Sequence, residues 1–215
     1  MKKLLFVIIG FICVVTANAQ TMKELFVSMP DTLSLVLTKN NRADCVDFIA
    51  SKMEAKVTNR FDNTSEVTVL TDDYLKADIT ECSSWEMRRL PVNDSTYVIC
   101  MITTVSGPVK DSNVCFYSTN WEELPKSQYI ESFPVADDFF IASQNIEEAD
   151  SIKELRKKSY ITFIQASLSE KDTSLSFTYT TPDYMNKEDG EKLKLYMRRD
   201  PLQYEWKNGK YVRKQ

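Results

Sequence analysis

Hydrophobic positions along this chain change their period several times, and each change predicts a different element. At residues 21–24, "TMKE" matches a capping box, in which the Thr21 hydroxyl accepts from the third helical N–H while Glu24 reaches back. A short helix should follow through Met29, ended by Pro30. In "NNRADCVDFIASKME", Ala43, Val46, Ile49, Ala50 and Met53 recur at helical spacing, with Asp44, Asp47, Ser51 and Lys52 opposite them. This predicts a helix over 42–54 capped by Asn41. From Val57 to Asn120 the period falls to two, in short runs rich in β-branched and aromatic residues: "EVTVL", "YLKADI", "WEMRRLP", "YVICMITTV" and "NVCFYST". "YLKADI" sets Leu75, Ala77 and Ile79 against Tyr74, Lys76 and Asp78, the alternation of a strand with one wet face. "VSGPVKDS" supplies the turn between the last two strands.

The pattern then repeats. "NIEEADSIKELRKK", 145–158, offers Asn145 as a cap, acidic residues early and basic residues late, in agreement with the helix dipole, and an apolar stripe of Ile146, Ala149, Ile152 and Leu155. Strands are expected at "YITFIQASL", "SLSFTYTT", "KLKLYM" and "LQYEWKNGKYV". In the last of these, Asn208-Gly209 suits a type I′ turn and would set Trp206 opposite Tyr211. The fold class is therefore α+β, with two halves of helix plus antiparallel sheet, residues 20–135 and 136–215. The two halves also echo one another. "KDSNVCFYSTNW" at 110–121 and "KDTSLSFTYTTP" at 171–182 share Lys110/Lys171, Asp111/Asp172, Phe116/Phe177 and Thr119/Thr180. If the halves are a diverged duplication, hairpins 97–119 and 160–181 should superpose, with both phenylalanines inward and both aspartates at matching turn sites.

The first residues change the picture of where the protein works. "MKKLLFVIIGFICVVTANAQ" places Lys2 and Lys3 before an apolar run from Leu4 to Val15 and ends in Ala17-Asn18-Ala19, the layout of a secretory signal peptide over residues 1–19, cleaved after Ala19. Twelve apolar residues are too few to span a hydrocarbon core of roughly 30 Å, and Cys13 lies mid-run rather than at the cleavage point. A soluble protein of the periplasm or beyond, with no membrane insertion after cleavage, is the expectation.

Composition excludes several functions. Removing Lys2 and Lys3 from 27 basic residues leaves 25 against 31 acidic ones, a net charge of −6 without a sizeable basic cluster, so no nucleic-acid partner is expected. The chain has no histidine, which removes Ser-His-Asp and Cys-His catalysis and His-ligated zinc. No cofactor is expected. Four cysteines follow the leader, Cys45, Cys82, Cys100 and Cys115. A turn centred between Gly107 and Pro108 would make Cys100 and Cys115 direct cross-strand partners, a candidate but strained disulfide, with buried free thiols as the default reading.

The acidic pairs Asp72-Asp73 and Asp137-Asp138 are candidate acid/base or metal-binding carboxylates, although adjacent residues on a strand point to opposite faces and Asp before an apolar run is ordinary turn chemistry. Trp85, Trp121 and Trp206, with Tyr117, Tyr129, Tyr204 and Tyr211, form either a binding surface for sugar or protein or a core filling. Thr32 and Ser95, in Asp-Thr-Leu and Asp-Ser-Thr, resemble O-glycosylation acceptors of exported Bacteroidales proteins; Ser151 shares the pattern but falls in an expected helix.

"FVSMPD", "NNRADCVDFI", "VICMITTVSGPVKDSNVCFYSTNWEELP" and "YEWKNGKYV" resemble an uncharacterised family of exported proteins from Bacteroidales-type bacteria. The resemblance implies an α+β protein of unknown function and brings no site residues with it. The layout is also similar to the tandem fold of β-lactamase-inhibitor proteins. The function expected from these readings is a non-catalytic periplasmic module that binds a protein or glycan partner; the alternative is a carboxylate-dependent hydrolase, with glycans as a candidate substrate, using Asp72, Asp73, Asp137, Asp138 or a nearby glutamate.

Overall fold

The computed structural model describes residues 20–142 and 145–214. The leader, with Cys13, lies outside the described residues. Helices α1 (Met22–Ser28) and α2 (Lys39–Ala50) precede a seven-stranded antiparallel meander: β1 (Ala55–Thr58), β2 (Thr64–Leu70), β3 (Tyr74–Thr80), β4 (Ser83–Pro91), β5 (Tyr97–Ser106), β6 (Lys110–Ser118) and β7 (Glu123–Leu124). A one-turn helix α3 (Lys126–Tyr129), a 3-10 turn (Ala136–Phe139) and α4 (Ile146–Lys157) lead to β8 (Ile164–Leu168), β9 (Leu175–Tyr179), α5 (Thr181–Tyr184), α6 (Lys187–Lys194), β10 (Leu202–Lys207) and β11 (Lys210–Arg213). The last four strands form a second sheet in the order β11-β10-β9-β8. The fold class is α+β, as expected.

The large sheet is covered on both faces. On one, Leu75, Ala77, Ile79, Trp85, Met87, Ile99 and Met101 pack against Met22, Leu25 and Phe26 of α1 and Cys45 of α2. On the other, Leu90, Val98, Cys100, Ile102, Val114 and Phe116 share one core with Ala166, Leu168, Leu175, Phe177, Tyr204 and Tyr211 of the small sheet. Tyr74, expected on the wet face of its strand, is 2% exposed because this second core covers it.

Helix α1 has seven residues, too few to persist on propensity alone. Its N-terminus carries the expected Thr21/Glu24 capping box, and tertiary donors take its C-terminal carbonyls. Trp121 Nε1 donates to Leu25 O (3.0 Å), and Arg42 Nε donates to Phe26 O (2.9 Å). Arg42, fully buried, also donates through Nη1 to Leu37 O (2.6 Å) and to Asp31 (3.1 Å), and through Nη2 to Met29 O.

This arginine corrects the reading of α2. The helix begins three residues earlier than expected, with Thr38 as its cap and Asn41 as the returning member of a capping box. Its buried face is Arg42 and Cys45, while Met53, assigned to the apolar stripe, is 59% exposed. A guanidinium offers five donors, so the chain buries it where three backbone acceptors converge.

The carboxyl-terminal half departs further from expectation. α4 has the expected Asn145 cap, yet of its proposed stripe only Ile152 is buried, and Ile146 is 82% exposed. "KLKLYM", read as an alternating strand, begins in α6, capped by Asn186. The small sheet packs on the large sheet, in a core that also takes Ile152 of α4 and Leu193 of α6, because the large sheet has a second apolar face to cover. The Asn208-Gly209 hairpin is as expected, with φ of 51° and 76° and Trp206 opposite Tyr211.

The echo holds only at the phenylalanines, which are both buried in the shared core. Asp111 sits in the β5–β6 ladder opposite Val105, whereas Asp172 lies in the β8–β9 loop and accepts from Ser174 N (2.9 Å). The aspartates therefore do not occupy matching turn sites.

Candidate functional site

Strand β8 is an edge strand laid against the face of the large sheet, where its outward N–H groups need acceptors. Two carboxylates from the large sheet supply them. Glu86 of β4 accepts from Leu168 N (2.6 Å) and from the Ser167 hydroxyl (3.0 Å), and Asp111 of β6 accepts from Ile164 N (3.0 Å). Two further ties complete the seam. Arg88 donates to the carbonyls of Ser169 (2.6 Å) and Glu170 (2.8 Å), and the Thr180 hydroxyl donates to Lys110 O (2.6 Å). Sequence reasoning placed none of the four large-sheet residues in a seam and read Asp111 as a turn residue, since nothing in a strand's alternation reveals that its polar face will meet another strand's edge.

A pocket of about 310 Å³ opens along this seam, between β6 and β8. Its floor is apolar: Val114, Phe133, Pro134, Ile164 and Phe177. Phe133 remains 37% exposed and stands edge-on to Phe177 at 6.1 Å. The rim is polar, with Asp111, Ser112, Asn113, Thr162 and Lys126. Lys126 Nζ donates to Asn113 Oδ1 (2.9 Å), lies 5.9 Å from the Phe133 ring centre, and among the described residues makes no ion pair with a carboxylate. An apolar floor with a few convergent polar groups is the usual make-up of a ligand pocket. The ammonium beside the ring, hydrogen-bonded to Asn113 but with no carboxylate partner among the described residues, adds a place for a negative group.

The residues singled out in the sequence lie elsewhere. Asp72 and Asp73 form the turn into β3: Asp72 O accepts from Met22 N (2.7 Å), and Asp73 Oδ1 binds Arg89 Nη2 (2.6 Å). Asp137 pairs with Arg156, and Asp138 with Arg213 (2.6 Å), at the 3-10 turn. Burial pushes the Asp138 carboxyl up, but the Arg213 hydrogen bond and the Val135 N–H outweigh it and hold it below the ordinary carboxylate value. Each pair fastens neighbouring elements, and the structure does not bring the two pairs together in a cleft. Among the described residues no group of three or more His, Cys, Asp or Glu side chains is placed to hold a metal ion.

The candidate disulfide is corrected by register. Cys100 lies opposite Phe116 and Cys115 opposite Met101, so the two cysteines are one residue out of step and face opposite sides of the sheet. All four described cysteines are free thiols. Burial pushes the Cys45 thiol up to about 11, and burial likewise raises Cys100, so both are poor nucleophiles.

The aromatic residues divide between core and surface. Trp85, Trp121 and Tyr117 fill the core under the helices, and Tyr204 and Tyr211 the core between the sheets. Only Trp206 and Tyr129, stacked on each other, keep exposed surface. Thr32 and Ser95 are exposed in turns, while Ser151 donates to Glu147 O (2.9 Å) within α4.

No curated protein matches the chain. A solved structure described as a domain of an uncharacterized protein from Porphyromonas gingivalis W83 is similar, at 25% identity and a TM-score of 0.79, over 92% of this chain and 99% of that one. The expected likeness to an uncharacterised Bacteroidales family is thus found in both sequence and fold. With a family match over residues 14–211, the chain belongs to DUF3256, a family described as proteins of unknown function.

Proposed function

We propose that this is an exported, non-catalytic binding module whose seam pocket takes an apolar side chain of a peptide or protein partner, with a neighbouring acidic group on Lys126. The observation that carries the reading is Phe133, left 37% exposed over an apolar floor beside an ammonium that has no ion-pair partner among the described residues. The candidate carboxylate Asp138 also fits a non-catalytic role, since, against the upward push of burial, its hydrogen bonds to Arg213 and the Val135 N–H hold it below the ordinary carboxylate value, whereas a general acid needs an upward shift.

A displayed-peptide selection tests the site. Recovered peptides are expected to share an aromatic or large aliphatic residue next to Asp or Glu, and binding should weaken about tenfold or more in Phe133→Ala and in Lys126→Glu, as for an anchoring contact. Peptides without that pattern, or affinities indifferent to both substitutions, would overturn the assignment.

Export rests on the lysines, apolar run and Ala-Asn-Ala of residues 1–19. Intact-mass measurement of the protein from its native host is expected to show a chain beginning at Gln20. A retained leader or a lipid adduct would contradict it.

A further inference from the structure

At the opposite end of the seam two hairpin turns meet. The Asn208-Gly209 turn packs so closely on the β4–β5 turn that a Cβ on Gly209 would stand 3.2 Å from Val92 Cγ1. Between the turns lies an open cleft of about 470 Å³, lined by Val92, Asn93, Asp94, Tyr97, Trp206 and Asn208 among others. It shares no lining residue with the seam pocket.

Both aromatic rings in this cleft are locked from behind. The Trp206 indole N–H donates to Pro91 O (2.7 Å), and its ring is stacked on Tyr129 (8° between planes, centroids 6.5 Å apart) and meets Tyr211 edge-on at 4.9 Å. Tyr97 stands on the helix-covered face of β5, where the Arg89 guanidinium lies 4.4 Å from its ring centre and is itself held by Asp73 (2.8 Å) and by Gln20 O (2.8 Å). The Trp206 indole is half-buried against the shared core, and its contacts hold it in one orientation.

The rim supplies hydrogen bonds without positive charge. Asn93 commits its Oδ1 to the N–H groups of Ser95 (3.0 Å) and Thr96 (2.9 Å), which leaves its amide nitrogen to donate. Asp94 and Asn208 are exposed, and among the described residues neither side chain has a hydrogen-bond or ion-pair partner. A carboxylate and two amides beside a fixed indole match the demands of a sugar ring. Its C–H face stacks on the aromatic, while its hydroxyls need both donors and acceptors. With Asp94 and no basic residue lining the cleft, phosphorylated and acidic ligands are disfavoured.

We propose that the cleft between the β4–β5 and β10–β11 turns is a binding site for a neutral glycan, with Trp206 as the stacking platform and Asp94, Asn93 and Asn208 as hydroxyl-binding groups. The site is independent of the peptide pocket.

The test uses the mature chain and a panel of short homo-oligomers of glucose, galactose, mannose and xylose. Trp85 and Trp121 are 6% and 7% exposed, so quenching of indole fluorescence by acrylamide reports chiefly on Trp206. At least one oligomer series is expected to protect the indole and to bind by titration calorimetry. Affinity should fall about tenfold or more in Asp94→Ala and in Trp206→Phe, while Phe133→Ala leaves it unchanged. Among the described residues Asp94 has no side-chain partner, so Asp94→Ala should keep the wild-type melting temperature and remains informative if Trp206→Phe does not fold. Absence of protection by every oligomer, binding indifferent to Asp94→Ala, or equal binding of adenosine monophosphate would each overturn the proposal.

Discussion

Replacing Arg42 with methionine is expected to destabilise the protein by about 3–5 kcal/mol, measured by urea unfolding, since each buried acceptor left without a donor costs roughly 1–3 kcal/mol. The carbonyls of Phe26 and Met29 depend on this one side chain, while Leu37 O also accepts from the Ser34 hydroxyl. Both dependent carbonyls lie at the end of α1, so the loss should appear there first, as faster amide exchange through Met22–Ser28. Arg42→Lys should recover less than half of the loss, because one ammonium cannot address carbonyls arranged around a planar fork. Asp31→Ala should cost no more than about 1 kcal/mol, since Asp31 is 46% exposed and a surface ion pair contributes little. If Asp31→Ala were as damaging as Arg42→Met, the ion pair and not the carbonyl cluster would be the source of stability.

Phe116→Ala is expected to cost about 3–5 kcal/mol through the cavity it leaves, and to loosen both sheets together. Phe116 is fully buried on β6 and meets Tyr129 at 5.4 Å and, across the interface, Tyr211 of the small sheet at 6.3 Å. Because one core serves both sheets, amides of β5 and β6 and those of β9 and β10 should lose exchange protection in parallel, with one unfolding transition. Two transitions, with the small sheet melting apart from the large one, would show instead that the halves 20–135 and 136–215 are separate units.

Some residues carry their structure in local chemistry, and these were legible before folding. The Thr21/Glu24 box, the Asn145 cap and the Asn208-Gly209 turn each satisfy their own backbone within four residues. The strands from 64 to 118 were legible for the same reason, since pleating forces a period of two on any half-buried strand.

Tertiary structure decided the rest. Arg42 looked like a surface residue at the start of a helix, and only the convergence of three carbonyls from α1 and the following loop made its burial favourable. Alternation in "KLKLYM" suited a strand, but Asn186 capped a helix there, and the Leu193 of that helix found the shared core. Cys100 and Cys115 were a pair by arithmetic, and a one-residue difference in register turned them to opposite faces. The two proposed sites belong to this second class. Phe133 and Lys126 line one pocket with Ile164 and Phe177, and Trp206 meets Pro91 and the β4–β5 turn, across long stretches of chain. By itself the sequence determined an α+β chain with a leader-like start, its meander and its strongest turns, because those follow from short-range hydrogen bonding and periodicity. Which polar faces became a seam, and which aromatics stayed exposed, followed from how one apolar sheet face was covered by another, a long-range packing choice that no local pattern encodes.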